Sequence, residues 1–273
     1  MPKFKLVLKE GLKAMPQEKL GLLPSGYYKV GDIIIVHLDQ GLNKWEKEIG
    51  EFVKKELNAK SVFKRGPVSG ELRKPRIKRI AGKANVTVHK ENGCLYKIDV
   101  SRLMFSKGNF FERNRIRPLE GEKVIDMFSG LGYFSIPLAK KNPSCQVYAI
   151  EKNPLASKFL KENLELNRIS NVQVIEKDCR SVDLKGDRVI MGFFPGTEDY
   201  LPKAFSFLGA SGTIHYHNIY RKRELWEKPL GILKTKGLEN GYRIEKILAK
   251  RIVKQYSPCK YHIVVDAKFV RNR

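Results

Sequence analysis

Long apolar runs are missing from this sequence of 273 residues. None reaches the roughly 18–20 residues that a membrane-crossing helix needs. The opening Met1-Pro2-Lys3-Phe4-Lys5 lacks the apolar centre and small-residue cleavage site of a secretory signal. A cytoplasmic protein with no membrane partner is expected, with a monomer as the simplest state. Cysteine is scarce too. Cys94, Cys145, Cys179 and Cys259 lie far apart and form no C-x-x-C pair, so neither a zinc cluster nor a redox motif is supported and no metal site is expected. Four free buried thiols are the plain reading. Acidic residues are the third shortage: 29 stand against 53 lysines and arginines, a net charge of +24. Such a surface attracts polyanions. What is present, 42% hydrophobic and 30% charged residues without repeats or low-complexity tracts, suits a globular protein with a real core.

The length accommodates two modest domains, and the charge and the rhythm of the chain divide it near Pro118. Residues 1–117 hold 26 basic and 12 acidic residues, against 27 and 17 in residues 118–273. The density peaks where Lys64, Arg65, Arg73, Lys74, Arg76, Lys78, Arg79 and Lys83 stand against Glu71 alone. Gly66, Pro67, Gly70 and Pro75 predict a loop here. A loop can gather its charges toward a phosphate backbone; a solvated basic face is the plainer reading. Residues 33–36, Ile-Ile-Ile-Val, predict a short buried strand. Residues 42–57 predict an amphipathic helix with Trp45, Ile49, Phe52, Val53 and Leu57 on one side. Residues 86–89 and 95–100 predict a hairpin around Glu91-Asn92-Gly93. Residues 1–117 are therefore expected to form a small basic α+β domain that contacts RNA.

From residue 118 strands and helices alternate. Strands are predicted at residues 124–126, 146–151, 172–176, 188–191 and 212–217, with a helix from about Tyr133 and another capped by Asn153 and opened by Pro154. Alternation of this kind implies a parallel sheet covered on both faces. Residues 242–253 and 262–269, separated by Ser257-Pro258, predict a closing antiparallel pair. The expected fold class is α/β, a Rossmann-like class I S-adenosylmethionine-dependent transferase domain over residues 118–273, joined to the small N-terminal α+β domain.

The central motif is Asp126-Met127-Phe128-Ser129-Gly130-Leu131-Gly132, where a strand enters a helix; Asp126, Gly130 and Gly132 are expected to contact the cofactor. Gly130 and Gly132 permit positive φ and close backbone approach of a ligand at the sheet's carboxyl edge. Glu151 ends the next strand, where a carboxylate can accept from both ribose hydroxyls. Asp178 follows the third, where one can accept from an adenine amino group. A dinucleotide fingerprint needs a third glycine at position 135, which is Ser. S-adenosylmethionine fits better than NAD, and an empty scaffold is the bland alternative.

These residues carry a resemblance. Together with Ala149-Ile150-Glu151-Lys152-Asn153-Pro154, Asn163-Leu164-Glu165-Leu166-Asn167, residues 64–73 and Met104-Phe105-Ser106-Lys107-Gly108-Asn109, the motif resembles two related tRNA enzyme families. One is the archaeal and eukaryotic tRNA guanine-37 N1-methyltransferase; the other is the wybutosine-pathway aminocarboxypropyltransferase. The extra N-terminal domain that many of the methyltransferases carry is expected to be absent or much reduced. The methyltransferase has Asn-x-Pro after the fourth strand; this sequence reads Met191-Gly192-Phe193-Phe194-Pro195-Gly196, and its fifth strand reads His215-Tyr216-His217-Asn218. Both segments are similar to the aminocarboxypropyltransferase. The resemblance implies transfer of the 3-amino-3-carboxypropyl group of S-adenosylmethionine to C7 of 4-demethylwyosine, at position 37 in the anticodon stem-loop of phenylalanine tRNA. It implies cofactor contacts from Ser106, Arg113, Glu151, Asp178 and Cys179, although relatives often carry Asn at the last position. Ser106 and Arg113 can hold the donor's carboxylate, Arg with a charge-assisted fork.

Other roles are open at this point. His215 and His217 share one strand face and are either proton acceptors or pocket walls, or plain hydrogen-bonded histidines. Phe193 and Phe194 either stack on a splayed base or pack in the core. Tyr133 either touches adenosine or packs its helix. N1-methylation of guanosine 37 is the same-fold alternative, and an RNA-binding protein without catalysis is the alternative from another class.

Overall fold

The computed structural model describes residues 3–69, 74–105 and 107–272. It divides into two compact units, Met1–Glu91 with Leu95–Ser106, and Asn92–Cys94 with Lys107–Arg273. The division falls about ten residues before Arg117, because the helix at Phe110–Arg115 packs with the helix at Ser135–Lys141 rather than with the N-terminal core.

In the first unit, helices α1 (Lys3–Gly11) and α2 (Gln17–Leu20) precede strands β1 (Tyr27–Val30) and β2 (Ile33–Val36). A 3-10 turn at Gln40–Trp45 leads into α3 (Glu46–Glu56), then come β3 (Ser61–Ser69), β4 (Lys74–Gly82), β5 (Val86–Glu91) and β6 (Cys94–Asp99). The sheet runs β1-β2-β3-β4, with β2 and β3 parallel across the α3 crossover. Leu8, Ile34, Val36, Leu42, Ile49, Val53 and Val62 fill the core between sheet and helices. The expected helix over residues 42–57 is thus a 3-10 turn as far as Trp45, with Asp39 capping Gly41 N–H at 2.7 Å. The β5–β6 hairpin turns on Asn92 (φ +52°) and Gly93 (φ +72°), the left-handed pair of a type I′ turn.

The basic segment expected as a loop is instead two antiparallel strands, β3 and β4. Gly66, Pro67 and Pro75 sit in a bulged ladder whose register shifts between Arg65 and Val68; positions 70–73, including Gly70 and Arg73, lie outside the described residues. Some of its charge is consumed internally. Lys64 and Lys78 both donate to Glu46, at 2.8 and 2.6 Å.

The second unit contains α4 (Phe110–Arg115), β7 (Lys123–Asp126), α5 (Ser135–Lys141), β8 (Gln146–Ile150), α6 (Pro154–Leu166), β9 (Val172–Ile175) and β10 (Gly186–Met191). After them come α7 (Leu201–Phe207), β11 (Leu208–Arg221), α8 (Glu227–Glu239), β12 (Tyr242–Ser257) and β13 (Lys260–Arg271). The sheet order is β12-β13-β11-β10-β7-β8-β9. Strands β7 to β11 are parallel; β13 slots antiparallel between β11 and β12. This is the Rossmann-like transferase architecture. Ile125, Val189, Met191 and Ile214 pack with α7 and α8 residues on one sheet face, and Val124, Val147 and Ile190 with Phe134 and Leu138 on the other. Asn153 caps α6 by accepting from Leu155 N–H at 3.1 Å, with Pro154 in the first turn as the sequence predicts.

Three of the cysteines are buried; Cys259 is exposed at the β12–β13 turn, where its φ is +61°. Among the described residues no helix is long and apolar enough to cross a membrane.

Candidate active site

Chain order reverses between β10 and β7, and ligands in sheets of this kind bind beyond the carboxyl ends of strands at such a switch point. The glycine motif occupies that position. Ser129 fixes it to the end of β8, with its N–H and hydroxyl both donating to Ile150 O at 3.0 and 2.9 Å. Gly130 and Gly132 have φ of +56° and +91°, where a side chain is strained. They differ in what surrounds them. A Cβ on Gly132 would lie 2.5 Å from Ile136 and 2.7 Å from Leu160, so this glycine serves helix packing rather than ligand approach. A Cβ on Gly130 would meet only the Tyr133 ring, at 3.1 Å.

Glu151 bridges the motif. Its two carboxylate oxygens accept from Gly130 N–H and Asn153 N–H, both at 2.8 Å. Each oxygen keeps a second lone pair, which is the pair of acceptors that two vicinal hydroxyls require. Burial raises its pKa, and the backbone N–H groups around it together with the Lys152 charge partly offset that rise. Asp126, expected as a ligand contact, is fully enclosed. It accepts from Ser135 Oγ at 2.7 Å and Phe128 N–H at 3.4 Å, so it braces the turn from inside. Burial pushes its pKa up to about 6.

Asp178 has a cationic neighbour of its own. Arg180 donates to it from its backbone N–H at 3.0 Å, from Nε at 2.9 Å and from Nη2 at 2.7 Å. That fork holds its pKa down at about 2. Oδ1 accepts two of these donors and Oδ2 one, so Oδ2 keeps a lone pair that an adenine amino group could use. Cys179 packs its sulfur into the core, where burial pushes the thiol up to about 12; any ligand contact belongs to its backbone. Ser106 lies outside the described residues.

Arg113 sits on α4 with its guanidinium 4.6 Å from the centre of the Tyr133 ring, directly beside the glycine turn. Cation–π contact both holds the fork and gives Tyr133 a role beyond helix packing. What places α4 is a chain of side chains that sequence reasoning missed. Arg115 donates through both terminal nitrogens to Asp266 on β13. Glu112 accepts from Arg115 Nε at 2.7 Å and from Arg251 Nε on β12 at 2.9 Å. Asp266 continues the chain to His215 Nδ1 at 2.7 Å, His215 Nε2 meets Arg188 at 2.9 Å, and Arg188 forks onto Glu122 at 2.8 and 3.0 Å. Burial works to raise the Asp266 pKa, but His215 and Arg115 outweigh it and hold the carboxyl below the usual range. The available signal was Asp266 itself, a lone acid inside the apolar run Ile263-Val264-Val265-Asp266-Ala267.

The two histidines fall to the plainer reading. His215 has both ring nitrogens committed, with Arg188 able only to donate; it is the neutral link of the chain. His217 shares a 3.0 Å hydrogen bond with His262, and burial takes its pKa down to about 3. Neither is placed to accept a proton at neutral pH. Phe193 is half-buried and stacked on Phe128 at 5.1 Å, with Tyr200 edge-on at 5.0 Å to Phe128, an aromatic platform past the ends of β7 and β10. Phe194 is buried, its ring 4.0 Å from His262.

A family model described as the TRM5/TYW2 methyltransferase domain matches residues 87–245, and one described as the TYW2 N-terminal domain matches residues 8–85. The tRNA(Phe) (4-demethylwyosine(37)-C(7)) aminocarboxypropyltransferase of Methanocaldococcus jannaschii is 44% identical over 249 residues, covering 90% of this chain and 98% of that protein. The tRNA (guanine(37)-N(1))-methyltransferase Trm5b of Pyrococcus abyssi is 36% identical over 257 residues, 92% of this chain and 77% of the relative. The crystal structure of M. jannaschii TYW2 in complex with AdoMet superposes with a TM-score of 0.75 at 39% identity, covering 90% of this chain and all of that one. With the catalytic-domain model spanning more than half of its length, the chain belongs to the TRM5/TYW2 family.

Proposed function

We infer that this chain transfers the 3-amino-3-carboxypropyl group of S-adenosylmethionine to C7 of 4-demethylwyosine at position 37 of phenylalanine tRNA, in wybutosine-derivative biosynthesis. The observation that carries the reading is the pairing of a glycine turn and half-satisfied Glu151 with Arg113 beside them. The relative that shares nearly its full length with this chain bears that activity in its name. The segment after β10, Met-Gly-Phe-Phe-Pro-Gly in place of Asn-x-Pro, supports aminocarboxypropyl over methyl transfer.

The residues fit the donor. Glu151 offers two acceptor lone pairs to the ribose, and Gly130 leaves its backbone open. Arg113 offers a fork for the methionyl carboxylate. When bound, the donor supplies a sulfonium that activates both its methyl and the γ-carbon of its amino-acid chain. Arg113 decides between them by position: holding the carboxylate turns the γ-carbon, rather than the methyl, toward the base at about 3–3.5 Å. The new bond joins C7 to that carbon, the carbon–sulfur bond breaks, and methylthioadenosine and the C7 proton leave. Phe193, on its Phe128 support, offers a stacking face for the splayed base. Catalysis is positioning without a covalent enzyme intermediate, and the two histidines take no proton in it. Such a tRNA substrate places the activity in the cytoplasm.

The test uses donor labelled either in its methyl or in its carboxyl carbon, incubated with tRNA bearing the tricyclic base. Carboxyl label alone is expected in the tRNA. Methyl label alone would assign the chain to the methyltransferase branch of its family.

A further inference from the structure

The last parallel pair on β10 and β11 is Met191 with Tyr216, yet β11 runs on to Arg221. β13 accompanies it from Lys260, and β12 ends beside them at Ser257. Three strands thus continue five residues past the carboxyl edge of the parallel sheet, a projection of roughly 16 Å. It rises from β11, two strand spacings or about 10 Å from the glycine turn's own strand β7.

Its chemistry is one-sided. Arg221, Lys222, Arg223 and Lys260 are all exposed, and among the described residues none of them is in an ion pair. Lys254 extends the charge along β12, beside Gly108 just ahead of α4; Arg251 is spent on Glu112. Of the nearby acids, Glu224 is engaged by Lys228 and by Arg221 N–H at 2.8 and 2.7 Å, and Glu198 by Asn218; Glu227 is exposed. Lysines that merely guard an edge strand from mispairing account for those on β12. They do not account for Arg221 on β11, Lys260 on β13, or Lys222 and Arg223 on the 3-10 turn that follows. Tyr256 adds an aromatic face. It is 48% exposed and meets Phe194 edge-on at 6.2 Å, which ties it to the segment after β10. Cations beside a half-exposed aromatic ring suit single-stranded nucleic acid, phosphates on the former and a base on the latter.

We propose that this projection is an RNA track. Arg221, Lys222, Arg223 and Lys260 take the phosphates of the unpaired strand flanking the target nucleotide, and Tyr256 stacks one of its bases. The proposal rests on the reading of tRNA as substrate, and adds a contact surface in the catalytic unit to the basic strands of the N-terminal one.

The experiment measures tRNA affinity by fluorescence anisotropy over a salt series, with S-adenosylmethionine affinity by calorimetry on the same proteins. A variant carrying Arg221→Gln, Lys222→Gln, Arg223→Gln and Lys260→Gln is expected to bind tRNA more weakly, with a log–log salt slope shallower by about 3. Its S-adenosylmethionine affinity is expected to stay unchanged. Tyr256→Ala is expected to weaken tRNA roughly 5- to 100-fold with the slope preserved. Should the fourfold variant lose S-adenosylmethionine binding and so prove misfolded, Lys222→Glu with Arg223→Glu, confined to the exposed turn, reads the same slope. Unchanged tRNA affinity and slope in a variant that still binds S-adenosylmethionine overturns the proposal. A wild-type protein that binds S-adenosylmethionine but no tRNA refutes the substrate reading instead.

Discussion

A buried histidine that stays neutral makes a protein sensitive to acid, and His217 shows the effect at the scale of one residue. In the folded state burial drives its pKa to about 3, while the unfolded chain protonates near the ordinary 6.5. As pH falls below about 6.5, the unfolded state gains a proton that the folded state refuses, so stability drops with pH. Between pH 7 and 5 one such histidine costs about 2 kcal/mol. His217→Gln is therefore expected to lose less stability over this range, by about that amount, in urea unfolding at the two pH values. Identical pH dependence in variant and wild type would show that His217 protonates inside the fold. At this scale the sequence was a mixed guide. Gly130, Glu151 and Arg113 come together as their spacing and resemblance predict. Asp126, Asp178 and His215 are each bonded by a neighbour that no local pattern reveals, Ser135, Arg180 and Asp266, and His217 shares one ring nitrogen with His262.

Helix α4 is six residues long, too short to hold its own position by helix propensity. It is held by tertiary contacts, and the Arg115–Asp266 and Glu112–Arg251 pairs are the polar ones. Removing one partner of a buried pair strands the other charge at a cost of roughly 3–5 kcal/mol. Asp266→Asn is thus expected to destabilise the catalytic unit and to let Arg113 drift from the glycine turn. A double-mutant cycle on S-adenosylmethionine affinity separates these effects. If Asp266 acts on the donor through Arg113, the Asp266→Asn change weakens binding in the wild-type background and adds nothing to Arg113→Ala. Additive losses would give Asp266 only a general structural role. The elements themselves were legible where local physics decides them, as in the Asn153-Pro154 start of α6 and the Asn92-Gly93 hairpin. They were illegible where the ladder overrides composition. Gly66 and Pro67 read as loop residues, but β3 absorbs them in a bulge of its ladder with β4.

For the whole molecule the governing quantity is the +24 charge, spread as 26 basic against 12 acidic residues before Pro118 and 27 against 17 from there on. Composition revealed that excess at once, but only the fold shows that some cations are spent internally, such as Lys64 and Lys78 on Glu46. Arg65 and Arg76 are exposed on β3 and β4 in the N-terminal unit, and the projecting strands supply the corresponding set in the catalytic unit. Each phosphate contact releases counterions and steepens the salt dependence by about 0.7–0.9 in the log–log slope. Substituting Arg65→Gln with Arg76→Gln is expected to flatten the tRNA slope by roughly 1.5. If one tRNA is gripped by both units at once, combining these with the four substitutions on the projection flattens it by the sum of the two changes, because separate sites contribute independently. A combined variant no flatter than the projection variant alone would mean that Arg65 and Arg76 carry charge for solubility, and that the catalytic unit alone meets the RNA backbone.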